Sequence, residues 1–197
     1  STSKESSAAS DVYKRQGHFE SEKYFLHERE NILKEFSLIN NNNFKKNNYL
    51  KNIQNENIVS ICIRQNRYSE RIGNHNDQAS IEKSQFFVKE TIKYIKKAET
   101  LIEKKVSNPK YYIWSDNFTN LREYFPENKY TFVINEEKKI LNDFFLLLNC
   151  KYFIVGPTTF HWWGAWLSNF DNKFCIRPQN LNPSNNKDFW PTSWASI

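Results

Sequence analysis

A chain of 197 residues, 39% hydrophobic and 16% aromatic, is long enough for one good-sized domain and apolar enough to bury a core rather than stay disordered. No apolar run approaches the roughly 20 residues that a spanning helix requires, and no signal peptide is visible, so no membrane-embedded segment is expected. The net charge of +6 suits an anionic ligand but does not choose between a nucleotide, a nucleic acid and a membrane surface.

The basic residues are interleaved with Glu in helical-looking stretches, a pattern of solvated faces more often than of a nucleic-acid stripe. The three cysteines, Cys62, Cys150 and Cys175, are widely spaced in apolar runs and read as buried thiols of a reducing compartment. The four histidines lack metal-ligand spacing, so no metal site is expected.

In chain order, Asp11–Gln16 is what the bases GAT GTG TAT AAG AGA CAG encode, the transposase adapter end of sequencing-library preparation. Residues 1–16 are therefore expected to be a non-native tail, with the natural chain truncated ahead of Gly17. Residues 17–39 carry Tyr24, Phe25, Ile32, Leu33 and Phe36 in a helical pattern, and the Asn-rich stretch 40–57 reads as a loop. Ile58–Ile63 predicts a strand, and residues 81–106 a long amphipathic helix with Phe86, Phe87, Ile92, Ile95 and Leu101 as core candidates, stopped by Pro109. Strands follow at 111–114, 130–133, 151–155 and 173–177, alternating with helices at 117–125, 136–149 and 158–169. This alternation predicts an α/β fold, a Rossmann-like parallel sheet with helices on both faces and ligands at the carboxyl ends of the strands.

The chemistry is then expected after residues 63, 115, 134 and 155. Arg64, Arg67 and Arg71 follow the first strand with Glu70 among them; such guanidinium forks bind phosphate bidentately, and a charged surface loop is an equally good reading. Ser115-Asp116-Asn117 after the second strand can hold a ribose hydroxyl or cap the next helix, capping being the commoner use. Asp143, beside the apolar run Phe144–Leu148, either faces water or accepts from a ligand N–H pair. Thr158 and Thr159, then His161, follow Gly156-Pro157 at a helix start, where backbone N–H groups suit a phosphate; as a generic pattern this is more often a capped core helix.

Taken together, Thr158-Thr159-Phe160-His161-Trp162-Trp163-Gly164-Ala165-Trp166-Leu167, with Asp143, Asn149-Cys150-Lys151 and Ile113-Trp114-Ser115-Asp116, resembles the bacterial and animal α-1,2-fucosyltransferases of glycosyltransferase family 11. Gly17–Phe25 and the Pro/Trp-spaced ending Pro178–Trp194 extend the resemblance over 17–197. It implies the donor domain of a GT-B-like enzyme at 52–197, with 17–51 as the end of an acceptor domain plus linker. It also implies L-fucose transfer from GDP-fucose to a glycan hydroxyl, with inversion and no metal or other cofactor.

By the same resemblance Arg64 holds the diphosphate, Asp143 reads guanine N–H groups, Thr158 and Thr159 lie near the phosphates, and Ser115 with Asp116 shapes the sugar or ribose pocket. Glu70 is the positional candidate for the general base. The chain departs from the family's His-x-Arg-Arg-Gly-Asp motif with Cys62 for the His, Gln65 for the second Arg, Asn66 for the Gly and Arg67 for the Asp, and His161 stands where Ser is usual. Arg67 or Arg71 are candidates to restore the lost charge, and His161 to add a titratable group at the phosphate end. A different nucleotide sugar, a non-catalytic relative and a basic nucleic-acid-binding module stay open as alternatives. The expected setting is cytoplasmic, at the inner membrane face, with lipopolysaccharide or another surface glycan as acceptor and peripheral membrane contact through the missing part.

Overall fold

The computed structural model describes residues 20–37, 47–71, 73–135, 140–184 and 186–197, so the expected tail at 1–16 lies outside the described residues. Its frame is a six-stranded, all-parallel sheet: β1 (Ile58–Ile63), β2 (Lys110–Ser115), β3 (Tyr130–Phe132), β4 (Tyr152–Ile154), β5 (Phe174–Arg177) and β6 (Ala195–Ser196), in the order β3-β2-β1-β4-β5-β6. All six residues of β1 are buried, as expected of a central parallel strand covered on both faces. The chain reverses its direction of strand addition at β1, which puts the crevice of such a sheet between β1 and β4.

Alternate residues of β1 feed two separate cores. Val59, Ile61 and Ile63 pack with Ile92, Ile95, Ala98 and Ile102 of α3 (Gln78–Lys105). Ile58 and Cys62 face the other way, toward α2 (Asn48–Asn55), α5 (Ile140–Leu148) and α6 (Thr159–Leu167). This two-sided cover agrees with the pattern expected from alternating strands and helices.

Three readings are corrected. Part of the expected loop at 40–57 is the helix α2, started by Asn47, whose side chain accepts the N–H groups of Tyr49 and Leu50, and held by burial of Leu50 and Ile53. Phe86, a core candidate, is 64% exposed, because α3 begins at Gln78 and its sheet-facing stripe runs through Thr91, Ile95 and Ile102. The two-residue β6 was not expected; it closes the far edge by pairing Ala195 with Ile176 and Ser196 with Arg177.

The N-terminal segment forms two 3₁₀ turns, Glu22–Tyr24 and Leu26–Glu28, then α1 (Arg29–Ser37), and Phe25, Ile32, Leu33 and Phe36 pack against the α5/α6 core. Close approach of α5 and α6 needs Gly164, because a Cβ there would sit 2.8 Å from Leu147 Cβ. At the other end of α6, Lys173 Nζ donates to the carbonyls of Ala165 (2.8 Å) and Ser168 (2.6 Å), where a cation complements the helix dipole. A short helix α4 (Leu121–Tyr124) lies between β2 and β3.

Candidate active site

Four of the expected residues converge on the carboxyl end of β1. The thiol of Cys62 lies near enough to Arg64, Asp116 and Asp143 to sense their charges, and its Sγ is 4.0 Å from Thr158 Oγ1. Burial pushes that thiol up to about 12, so Cys62 is a neutral, apolar floor between charged walls.

Each wall is built locally. Asp116 accepts the backbone N–H groups of Gln65 (2.7 Å) and Asn66 (3.2 Å), clamping the turn that carries Arg64. Ser115 Oγ lies 2.7 Å from the carbonyl of Ile63 and 2.6 Å from that of Asn117, tying the ends of β1 and β2 together. Both side chains thus brace the loop, and neither caps α4, whose N-cap residue Asn120 makes no side-chain cap.

Arg64 forms an ion pair with Glu70, both part-exposed. Arg67 does not join them: its guanidinium donates to the Pro157 carbonyl, stacks 4.9 Å from the Phe87 ring and is held below its usual basicity by burial. Gln65 Nε2 is likewise committed, to the carbonyls of Asn117 and Thr119. The exposed Arg71 leans over Tyr68.

Asp143 sits in the first turn of α5, half-buried. Burial raises its carboxyl above the usual range, partly offset by a hydrogen bond from Asn135 Nδ2 and by the nearby Trp114 indole, whose N–H makes no full hydrogen bond of its own. Asn135 follows β3 and also meets Asn47 at 3.4 Å, so the cap of α2 and the head of α5 are connected.

On the β4 side, Gly156 passes directly over β1: a Cβ there would fall 2.0 Å from the Cys62 carbonyl oxygen. Thr158 then caps α6, its hydroxyl accepting the N–H of His161 at 3.1 Å, and is buried; Thr159 is exposed. His161 is corrected from the phosphate end to the interior. It is fully buried, its Nδ1 accepts the Gly156 N–H at 2.8 Å, and its Nε2 therefore carries the proton donated to Ser60 Oγ at 2.7 Å. Burial pushes it down to about 3, so it is neutral.

The sequence reading missed Ser60, Asn135 and the close approach of Gly156 to β1. Ser60 carried a usable signal, since a hydroxyl in an otherwise apolar central strand requires a buried partner. Among the described residues, no group of three His, Cys, Asp or Glu side chains is placed to hold a metal ion, and no helix is long and apolar enough to cross a membrane. All three cysteines are free and buried, as expected.

A parallel sheet that reverses at β1, with an arginine, two carboxylates and a capped helix start gathered at its switch point, defines a Rossmann-like domain of the kind glycosyltransferases use. The chain belongs to glycosyl transferase family 11, whose profile it matches over residues 2–195. It is 26% identical over 190 residues to an alpha-1,2-colitosyltransferase of Escherichia coli, a match covering 92% of this chain and 61% of that protein. It is 33% identical over 86 residues to the O-antigen biosynthesis glycosyltransferase WbnK of Escherichia coli, covering 43% of this chain and 27% of that one. The chain thus spans about three-fifths of the length of the first relative. No solved structure matches it.

Proposed function

We propose that residues 52–197 are the donor domain of a GT-B-type enzyme that moves L-fucose from GDP-fucose to a hydroxyl of a surface glycan, in α-1,2 linkage, with inversion and without a metal. Residues 17–51 belong to its acceptor domain and linker. The observation that carries this reading is the gathering of Arg64, Asp116, Asp143 and Thr158 around Cys62 at the end of β1.

In the proposed step the acceptor oxygen attacks C1 of the sugar from the side opposite GDP. The C1–O bond breaks with its electron pair going to the β-phosphate, and the hydroxyl proton goes to Glu70. Negative charge grows on the departing diphosphate, where the Arg64 guanidinium and the N-terminal N–H groups of α6 stabilise it without a cation. Asp143, ionised, accepts from guanine N–H groups, and Asp116 acts through the turn it clamps. The parent enzyme works from the cytoplasmic side of the membrane on lipopolysaccharide O-antigen.

A colitosyl donor is the second reading, supported by the 26% identical relative and by Cys62, which cannot make the hydrogen bond an imidazole would. Calorimetry tests the common core of both: GDP binds, and Arg64→Ala weakens it at least tenfold. Absence of GDP binding, with salt-steep binding of single-stranded RNA instead, overturns it. On the intact enzyme, turnover of the fucosyl against the colitosyl donor separates the two readings.

A further inference from the structure

Outside the charged strand ends, α1, α5 and α6 enclose a pocket of about 420 Å³, open on one side and lined by Phe36, Phe144, Thr159, Phe160, Trp163 and Leu167. We propose that this pocket is a saccharide subsite, with a neutral sugar ring resting on the Phe160 and Trp163 rings and hydrogen-bonded by Thr159. As the acceptor subsite of the transferase it rests on the reading above.

Three observations lead there. No lining residue is charged, so neither a diphosphate nor a nucleic-acid backbone finds a counter-charge in it. Four of its six lining residues are aromatic, and they are fixed against one another: Phe144 packs on Phe160 at 5.7 Å and on Phe36 at 6.4 Å, while Phe25 stacks behind Trp163 at 5.1 Å and 20°. Flat ring faces packed against one another, with one hydroxyl in the lining, match a pyranose, which offers an apolar C–H face and an edge of hydroxyls. They match an alkyl chain less well, since that is better enclosed by flexible aliphatic walls.

The third observation is continuity with the donor side. Thr159 is the first residue of α6 and follows the cap Thr158, and Phe144 follows Asp143 on α5, so the pocket begins where the charged groups end. A sugar there is adjacent to the proposed diphosphate position and shares with it only Thr159, whose backbone N–H belongs to the α6 start and whose residue lines the pocket. The pocket also lies in the size range of small-molecule sites, about 300–1,000 Å³.

The test is lactose binding to the full 197-residue chain, followed by saturation-transfer NMR with and without saturating GDP. Lactose is expected to bind in both conditions, and Phe160→Leu and Trp163→Leu to weaken lactose at least tenfold more than they weaken GDP. Loss of GDP binding alone, with lactose retained, removes the donor reading and leaves the subsite standing. Displacement of lactose by GDP, unchanged lactose affinity in both variants, or occupation by 1-octanol with no lactose binding overturns the proposal. Should Trp163→Leu fail to fold, Phe160→Leu and Thr159→Val carry the same comparison.

Discussion

Arg64 and Glu70 form one ion pair on the turn after β1, so the cation proposed for the diphosphate is held by the carboxylate proposed as the base. A phosphate arriving at Arg64 must compete with Glu70, and the carboxylate it displaces is then available to accept a proton. Part-exposed pairs of this kind contribute about 0.2–1 kcal/mol. Glu70→Gln is therefore expected to raise GDP affinity roughly two- to fivefold, while turnover of the intact enzyme falls at least about 100-fold if Glu70 is the base. Unchanged or weaker GDP binding in a titration would show that the pair does not gate the site.

Asp116 offers a separate handle on the same loop. Its carboxylate accepts two backbone N–H groups, and removing it leaves both donors without that partner. Asp116→Ala is expected to cost about 1–3 kcal/mol and to weaken GDP binding without removing any ligand of the phosphate. Hydrogen exchange at Gln65 and Asn66 should accelerate in step; slow exchange with weak binding would assign Asp116 a direct contact instead.

The two buried glycines differ in what they face. A methyl at Gly156 falls 2.0 Å from a backbone carbonyl oxygen of the central strand, whereas one at Gly164 falls 2.8 Å from Leu147 Cβ and is relieved only by α5 and α6 moving slightly apart. Gly156→Ala should therefore destabilise by about 3 kcal/mol or more and Gly164→Ala by about 1–3 kcal/mol, both read from urea midpoints at constant slope. The reverse order would mean that the β4–α6 turn yields more easily than the α5–α6 contact.

His161 sets a pH dependence with a definite sign. Its folded value is pushed from 6.5 to about 3 by burial, so the unfolded chain takes up a proton first as the solution is acidified. The contribution is complete above 6.5 and is lost as pH falls from 6.5 toward 3, at roughly 1.4 kcal/mol per unit. Denaturation midpoints at pH 7.5 and 5.5 should differ accordingly, and His161→Gln should flatten the difference, because the described His27 and His75 are exposed.

What the sequence made legible were the features with a strong period or a strong stop: β1, α3, the Leu/Phe-rich α5 and the Gly156-Pro157 turn. The helix α2 was hidden because Asn-rich composition argues for a loop while burial of Leu50 and Ile53 decides for a helix. Phe86 misled because the buried stripe of α3 runs through Ser84, Thr91, Ile95 and Ile102, and Phe86 lies off that stripe. In the site, Arg64 was identifiable as a charge after a strand end and Asp143 through the family resemblance, but the division of labour among Arg67, Gln65 and His161 was not. Each of those is committed to a carbonyl or hydroxyl distant in sequence, and only folding brings those partners near.

The indoles of α6 are one connected array. Trp162 and Trp166 lie parallel at 6.1 Å and 10°, Trp163 crosses Trp162 at 5.1 Å, and Trp194 approaches it at 5.7 Å with Trp190 behind. Chromophores this close share their electronic transitions, so five of the six tryptophans absorb as a coupled set whose circular dichroism depends on their mutual angles. The helix capped by Thr158 thus also carries its own optical gauge, sensitive to a tilt of α6 against the C-terminal segment and needing no label.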